Sequence, residues 1–432
     1  MKKLLITVLV SGLALTATAQ RDSAWTLERC IAHAIDNNIE VRSARLDAET
    51  ARLGVTEAKD RFLPGLSGYA SQNFSFGRGL TSQNVYANRN TSSFSTGAQL
   101  QLPIFQGLSA IRRVSYEKTN LAAMLEHVEA AKEDLTLNVI TAYLQALYTG
   151  ELTGVARTKV DISQAELART QALLDAGRVP ELDIYQAQAQ LAQDRLSLVN
   201  AQSDSINALL SLAQLLNLPG TRGFDIRPLE DEEILIPPVE EVYSRALANN
   251  HTLAAGRLDE ATAKKNVAVA KTGYIPTLNF NAGIGTNYYN TTGIPNETFA
   301  SQMRHNFSQS IGFTLSVPLF DAFTTRNNVR RSRAAVLRAQ LNIDSATRDL
   351  YKAIVTAHTA ALSAREQQNA AAAALTATRE AFRAMQTKYN AGRANATELE
   401  KAKNDYIAAM AETVRTHYEA ILRARILAFY AR

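Results

Sequence analysis

The sequence predicts a mainly α-helical protein in which very long paired helices are combined with four membrane β-strands per chain. Three observations carry this prediction. The stretch from Asp321 to Ala391 contains no glycine or proline. The two halves of the chain repeat one another. Apolar and polar residues alternate at four places along the chain.

The stretch from Asp321 to Ala391 is predicted to form one continuous helix. Its Ala-rich turns are interspersed with Arg, Glu, Gln and Lys, which all favour helices. Apolar residues recur along it every seven positions, at Val336, Ile343, Leu350 and Ala357. At 1.5 Å per residue, such a helix is roughly 100 Å long, too long for a core helix of a compact domain. Gly392 supplies a stop signal, and a second run free of glycine and proline follows it. A long antiparallel hairpin is therefore expected.

An internal duplication relates the two halves of the chain. A first set of residues recurs 212 positions later: Ala34, Asn37, Asn38, Arg45-Leu46-Asp47 and Pro64 return as Ala246, Asn249, Asn250, Arg257-Leu258-Asp259 and Pro276. A second set recurs 215 positions later: Pro103, Phe105 and Ala176-Gly177-Arg178 return as Pro318, Phe320 and Ala391-Gly392-Arg393. The conserved order and spacing predict two copies of one structural repeat.

The repeats are predicted to cover residues 20–220 and 239–432, with a linker over residues 221–238. Each repeat should contain a short helix ended by an Asn-Asn pair, a medium helix, two strands and a long hairpin. The strands are placed at about 66–78 and 92–103, and at about 277–289 and 306–318. The hairpins are placed at about 107–216 and 321–430. Gly150 and Gly154 interrupt the first long helix in this interpretation, where they would allow a local bend.

The first nineteen residues have the features of a secretory signal peptide. Lys2 and Lys3 precede an apolar run, and Ala17-Thr18-Ala19 provides a small-residue cleavage site. A membrane anchor is the alternative, but the run is too short to cross a bilayer. Without Lys2 and Lys3, the formal net charge falls from +5 to +3. Since the remaining charges of both signs are interspersed on helix faces, no nucleic-acid partner is predicted.

The four strand segments alternate between an apolar and a polar face. In one of them, Phe94, Leu100 and Leu102 share a face, whereas Gln99 and Gln101 share the other. A soluble one-sided sheet gives the same alternation. The signal peptide, together with aromatic residues near the strand ends, favours membrane strands. Phe74, Phe76, Tyr288 and Tyr289 are these aromatic residues. Because four strands cannot close a barrel, an oligomer is expected.

Neither an enzymatic activity nor a cofactor is predicted. The sequence contains no Gly-x-Ser-x-Gly, no His-Glu-x-x-His, no phosphate-binding glycine loop and no Cys/His cluster. The six histidines have no metal-ligand spacing, so no metal site is expected. Cys30 is the only cysteine, and the simplest role for it is as a small buried helix residue.

Short motifs around the strands and the helix turns resemble the TolC-type outer membrane efflux family. They are Phe62-Leu63-Pro64-Gly65-Leu66 and Tyr274-Ile275-Pro276-Thr277-Leu278 before the strands, and Leu102-Pro103-Ile104-Phe105-Gln106-Gly107 and Val317-Pro318-Leu319-Phe320-Asp321-Ala322 after them. At the turns, Gly177 is followed by Asp183 and Ala187, and Gly392 by Glu398 and Ala402. Ala322 stands where the family usually has glycine. The resemblance covers essentially all of the mature chain.

This resemblance implies a homotrimer in the outer membrane that extends into the periplasm. Three copies would form a β-barrel in the outer membrane lipid, continuous with a helical α-barrel through the periplasm. The implied function is a passive exit duct of a tripartite efflux or type I secretion system, coupled through a periplasmic adaptor to an inner-membrane pump. A periplasmic adaptor or coiled-coil scaffold protein is the alternative, since such proteins also contain long hairpins.

The resemblance also suggests two functional regions near the helix turns. In the family, a tyrosine three residues before the turn glycine and an acid six residues after it help to close the periplasmic entrance. Tyr389 and Glu398 match these positions, Asp183 is the corresponding acid of the first repeat, and Lys401 replaces a second acid. The alternative for Glu398 and Lys401 is an ordinary surface pair on a helix.

The two turns themselves are predicted to be the adaptor docking tips. Gly177, Arg178, Gly392 and Arg393 form them. A glycine is also explained by the need for a helix stop, but a stop does not require the arginine that follows it in both repeats. An arginine can offer paired hydrogen bonds to a carboxylate or a carbonyl group of a partner.

Overall fold

A computed structural model describes residues 24–80, 84–229 and 235–431, so the predicted signal peptide lies outside the described residues. The helices are α1 (Leu27–Asn37), α2 (Ile39–Asp60), α3 (Ser109–Asp175), α4 (Glu181–Leu215), α5 (Val239–Asn249), α6 (His251–Ala270), α7 (Phe299–His305), α8 (Thr324–Asn390) and α9 (Ala396–Tyr430). The strands are β1 (Ala24–Trp25), β2 (Gly65–Ser75), β3 (Arg78–Leu80), β4 (Tyr86–Asn88), β5 (Thr91–Gln106), β6 (Asp225–Ile226), β7 (Thr277–Thr291) and β8 (Ser308–Ser316).

The long helices of the two repeats have equal lengths. α3 and α8 each contain 67 residues, and α4 and α9 each contain 35 residues. α3 continues through Gly150 and Gly154, so the two glycines do not end the helix, and a local bend there stays a prediction. Both glycines are exposed, and glycine in a helix lowers its stability without breaking it when the flanking turns are good helix formers. Within the described ranges, every helix lacks the apolar stretch that a bilayer crossing would need.

The chain divides into two compact units. The first comprises the described residues up to Ile39, Asp134–Val242 and Ile354 onward, and the second comprises Glu40–Glu133 and Tyr243–Ala353. In the first unit, buried residues of α8 follow the heptad spacing that the sequence predicts. They are Ile354, Ala357, Ala361, Ala364, Ala371 and Phe382. Small and large apolar side chains thus fill a coiled-coil seam on one face of this helix.

The start of the described chain pairs with the segment between the repeats. β1 pairs in parallel with β6, so that Ala24 lies opposite Asp225. The hydroxyl of the fully buried Tyr143 contacts the carbonyl oxygens of Trp25 and Arg227 at 2.9 and 2.5 Å. The hydrogen bonding to these carbonyl oxygens compensates for the burial of the hydroxyl group.

The predicted Asn-Asn pair ends α1 and also contacts the end of α4. The side-chain amide of Asn38 donates to the carbonyl of Leu215 at 3.0 Å, and that of Asn217 donates to the carbonyl of Asn37 at 3.3 Å. Carbonyl groups at a helix C-terminus have no partner within the helix. The asparagines supply such partners at the ends of α1 and α4, whereas in the second repeat the side chain of Asn250 caps the start of α6 by accepting from the amide of Leu253 at 2.9 Å.

The second unit contains an antiparallel sheet of four strands in the order β2-β5-β7-β8. The register places the apolar residues of all four strands on one face. For example, Leu66 pairs with Leu100, which pairs with Ala282, which pairs with Ile311. The opposite face carries Ser67, Gln99, Gln101, Asn281, Gly283, Gly312 and Thr314. The predicted two-faced sheet is confirmed, and its two faces differ in polarity along every strand.

Both repeats turn from the sheet into the long helix with the same unusual backbone. Gly107 and Leu108 have φ values of 59° and 65°, and Ala322 and Phe323 have φ values of 51° and 63°. Glycine adopts this left-handed conformation without strain, whereas alanine does not. Ala322, at a position where the family usually has glycine, therefore adopts the same turn as Gly107, but with backbone strain.

Candidate functional site at the helical tips

The turns at Gly177 and Gly392 have the same hydrogen bonding. The amide of Gly177 donates to the carbonyl of Leu174 at 2.8 Å, and the amide of Arg178 donates to that of Leu173 at 2.9 Å. The corresponding bonds at Gly392 and Arg393 measure 3.1 and 2.9 Å. These pairs of bonds are the Schellman motif, which requires a left-handed residue. The φ values of 68° and 70° at the two glycines meet this requirement.

Both tips are open to solvent. No heavy atom lies within 4 Å of the position that a Cβ atom would occupy at Gly177 or Gly392. Arg178 and Arg393 are exposed, and neither guanidinium has an ion-pair partner within the described ranges. The glycines are thus explained by backbone conformation, whereas the arginines project charge from the turns without an internal role.

Three of the four predicted gate residues line one cavity of about 990 Å³ in the first unit. They are Tyr389, Lys401 and Asp183. The guanidinium carbon of Arg169 lies 4.9 Å from the centre of the Tyr389 ring, in the geometry of a cation–π contact. Arg169 also lines the cavity, and no pattern in the sequence distinguishes it from the other arginines of α3. The contact holds the predicted gate tyrosine against α3.

Glu398, the fourth predicted gate residue, is engaged in a local hydrogen-bond pair. Its carboxylate accepts from the backbone amide of Asn395 at 3.0 Å, and the side chain of Asn395 accepts from the amide of Glu398 at 2.8 Å. This is a capping box at the start of α9. Glu398 therefore has a structural role at the tip in addition to any role as a charge.

A buried group of charged residues lies close behind the tips and was not predicted. We call it the Lys403 cluster; it consists of Lys403, Glu400, Glu166, Ser163, Asp194 and Lys159. The side chains of Lys403 and Asp194 have no solvent-exposed surface. A hint exists in the sequence, because Lys403 lies between Leu399 and Ile407 in the buried row of α9. A lysine in an apolar row at helical spacing indicates a buried charge with partners.

The contacts of Lys403 use all three of its N–H donors. Its Nζ lies 2.5 Å from Glu400 Oε2, 3.1 Å from Glu166 Oε2 and 3.1 Å from Ser163 Oγ. Burial disfavours the charged ammonium, but the hydrogen bonds and charges of Glu400 and Glu166 outweigh it and raise the pKa of Lys403. The lysine is therefore charged at neutral pH.

Asp194 accepts three hydrogen bonds in the same cluster. Ser163 Oγ donates to its Oδ2 at 2.5 Å, while Lys159 and Gln190 each donate to its Oδ1 at 2.9 Å. Burial raises the pKa of Glu166, whose Oε1 atom is buried without a hydrogen-bond partner in the described part of the chain. The cluster joins α3, α4 and α9 through one connected set of polar contacts.

Two long hairpins and a shared four-stranded sheet, arranged as two repeats, define the class of outer-membrane channel proteins. The chain belongs to the outer membrane efflux protein family, whose sequence profile matches residues 30–218 and 242–429. Outer membrane efflux protein BepC of Brucella suis is 22% identical over 97% of this chain and 88% of its own length. Outer membrane protein TolC of Escherichia coli is 22% identical over 98% of this chain and 85% of its own length.

The fold is similar to that of a solved outer membrane channel. The crystal structure of the CmeC outer membrane channel from Campylobacter jejuni superposes with a TM-score of 0.79 at 17% identity, and covers 94% of this chain and 85% of its own. The predicted fold class, family, outer-membrane location with a periplasmic extension, and function as an exit duct are confirmed. The family is one of outer membrane efflux proteins, which favours the duct over the alternative of an adaptor.

Proposed function

We propose that three copies of the chain form one passive duct, which a periplasmic adaptor joins to an inner-membrane pump. The observation that carries this proposal is the sheet with its two edge strands, β2 and β8. Unpaired edge groups are strongly disfavoured in lipid, and four strands are fewer than the roughly eight of the smallest membrane barrels. Pairing of β8 from one copy with β2 of the next satisfies both edges, and the resemblance to TolC-type proteins implies the number three.

The two faces of the sheet support the same arrangement. The apolar face contains Leu66, Phe94, Leu100, Phe280, Ile284, Phe313 and Leu315, and suits contact with outer membrane lipid. The polar face, rich in Ser, Asn, Gln and Gly, suits a water-filled lumen. On that face the hydroxyl of Tyr69 lies near Gly97 and Gly285, which leave room for the ring.

Cross-linking between edge strands tests the trimer. In a Cys30→Ala background, Ser67→Cys in β2 and Thr314→Cys in β8 are expected to give a ladder that ends at three chains after treatment with a short bismaleimide. As a control, Gln99→Cys with Gly283→Cys, which pair within one sheet, should link only within a chain. A ladder that ends at two chains, or continues beyond three, contradicts the proposal.

Tyr389, Asp183, Lys401 and Glu398 are proposed to form the resting gate of this duct. The shared cavity and the contact between Arg169 and Tyr389 support this assignment. Because a duct that is open at rest would leak, its periplasmic end must be narrowed when no pump is engaged. The tyrosine, held by Arg169, supplies bulk for the constriction, Asp183 and Lys401 line the cavity behind it, and Glu398 fixes the start of α9 through its capping box.

Replacement of Tyr389 by alanine, combined with Glu398→Gln, is expected to raise the resting conductance in planar bilayers several-fold. Gln is chosen because it can keep the capping box while it removes the charge. Tyr185→Ala is the matched control, since Tyr185 is a tyrosine of the other hairpin with 62% of its surface exposed. An unchanged conductance in the double variant means that the gate assignment is wrong.

The adaptor is proposed to dock on the two tips, at Gly177, Arg178, Gly392 and Arg393. Their open surroundings and the unpaired guanidinium groups support this proposal. A partner backbone can approach a glycine closely because it has no side chain, and the arginine beside it can bind a carboxylate or a helix C-terminal carbonyl. Every copy contributes both tips, so the docking surface repeats around the duct.

A further inference from the structure

The Lys403 cluster links one helix of the second hairpin to both helices of the first. Lys403 belongs to α9, Ser163 and Glu166 belong to α3, and Asp194 belongs to α4. The ammonium donates to Ser163 Oγ, and this hydroxyl in turn donates to Asp194. Two successive hydrogen bonds therefore connect α9, α3 and α4 at the same position along the helix axes.

Burial of these charges does not serve to hold the helices together. Desolvation of a buried ion pair offsets most of the attraction between its members, and apolar replacements of similar volume are often as stable. Apolar residues surround the cluster along the same rows, for example Leu191 on α4 and Ile407 on α9. A function other than stability is required to explain a lysine at this place.

The apolar rows alone do not define how the helices are aligned along their axes. A slip of α9 by one turn of four residues puts Ile407 where Lys403 now lies, and it puts Ala411, Ala420 and Ala424 where Ile407, Thr416 and Ala420 now lie. These residues all fit an apolar seam, so the apolar row of α9 does not oppose a slip of roughly 6 Å. It would also leave Asp194 and Glu166 buried without their cation, which is strongly unfavourable.

The axial alignment of α9 matters for the tip, because the nearby contact between Arg169 and Tyr389 joins α3 to the helix that precedes α9. Glu166 of the cluster and Arg169 lie three residues apart on α3 and so share one side of the helix. Arg169 in turn lies over the ring of Tyr389. Because the turn at Gly392 joins α9 to the end of α8, a displacement of α9 displaces the last turns of α8 and would separate Tyr389 from Arg169.

We propose that Lys403, together with Ser163 and Asp194, sets the axial register of α9 against the two helices of the first hairpin and thereby keeps Tyr389 under Arg169. Lys403 is in this role a positioning residue. The register itself is independent of the proposed gate, and only its effect on conductance rests on that proposed function. The experiment accordingly measures the two separately.

The first measurement is of the register. Spin labels are placed at the exposed positions Gln164 of α3 and Ala408 of α9, in a Cys30→Ala background and in mixed trimers with one labelled copy. The parent protein is expected to give one narrow distance. The apolar pair Lys403→Met with Asp194→Leu, made together with Glu166→Gln so that no buried acid loses its cation, is expected to melt at no lower temperature, yet to give a broad distribution or a second distance displaced by roughly 5–10 Å.

Two controls separate register from charge. Glu166→Gln keeps the contact chain from Lys403 to Asp194 and removes the acid whose charge burial disfavours, so one narrow distance is expected. Arg383→Met with Glu380→Leu removes an exposed pair of α8 and should also change nothing. If the apolar pair fails to assemble, Ser163→Ala removes only the bridging hydroxyl and is expected to broaden the distance distribution.

The second measurement is of conductance at rest. The apolar pair is expected to conduct several-fold more than the parent, and Lys403→Arg is expected to retain most of the closure. A single unchanged distance in the apolar pair, or in Ser163→Ala if the pair does not assemble, overturns the proposal. A shifted distance with unchanged conductance in both the apolar pair and Tyr389→Ala leaves the register proposal intact and refutes the gate.

Discussion

Charge reversal at both tips, by Arg178→Glu with Arg393→Glu, is expected to abolish export by the assembled pump. The tips project two exposed guanidinium groups from every copy, and glutamate at these positions repels the carboxylates and carbonyls that arginine binds. The trimer should still form at its normal level in the outer membrane, because neither arginine has an ion-pair partner within the described ranges. Cross-linking to the adaptor and export of a pump substrate are the measurements.

The control for this experiment is a charge reversal of the same size away from the tips. Arg195→Glu with Arg379→Glu changes two exposed helical arginines of the same unit and is expected to leave export unaffected. Normal export from the tip variant, at equal amounts of protein in the membrane, would refute the docking surface. Loss of export in both variants would assign the effect to net charge rather than to the tips.

An arginine on the apolar face of the sheet is expected to destabilise the barrel by about 2–4 kcal/mol near the middle of the bilayer. Leu100→Arg tests this, because Leu100 lies in the middle of the sheet, between Leu66 and Ala282 on the neighbouring strands. The adjacent Gln101→Arg points to the polar face and is expected to be tolerated. Denaturant titration of trimers in lipid vesicles gives the free energy of unfolding for both.

Because Leu100 and Gln101 are neighbours on one strand, the comparison of the two arginine variants does not depend on the helices. The two variants introduce the same charge on the same strand, one residue apart, so the main difference between them is the face that receives the arginine. Equal losses of stability would contradict the assignment of a lipid face and a wet face. Phe313→Arg and Thr314→Arg on β8 repeat the comparison at the edge of the sheet.

Periodic features of the sequence predicted the long elements well. The run without glycine or proline placed α8 within a few residues of its observed ends, Thr324 and Asn390. Alternation identified the faces of β5 and β7, since a strand has a period of two whatever its partner is. Because the two halves of the chain repeat one another, the predictions of a long helix and of two-faced strands applied to both repeats.

Contacts between distant segments could not be predicted in the same way. Nothing local indicates that β5 of the first repeat pairs with β7 of the second. The contact of Arg169 with Tyr389 joins two helices far apart in sequence, and a single arginine on a charged helix has no distinguishing pattern. No helix was predicted between the strands at about 277–289 and 306–318, where α7 lies, because its seven residues are too few to show a helical period.

The parallel pair of β1 and β6 determines when the beginning of the chain can reach its final place. Ala24 and Asp225 are 201 positions apart, so the pairing requires closure of a very long loop, which is slow relative to local helix formation. A chain that is synthesised from its N-terminus exposes the apolar side of α1, at Leu27, Cys30 and Ala34, until the whole first repeat has emerged. α1, the first helix of the described residues, is thus among the last to be docked, and its apolar side is open to non-native contacts for the longest time.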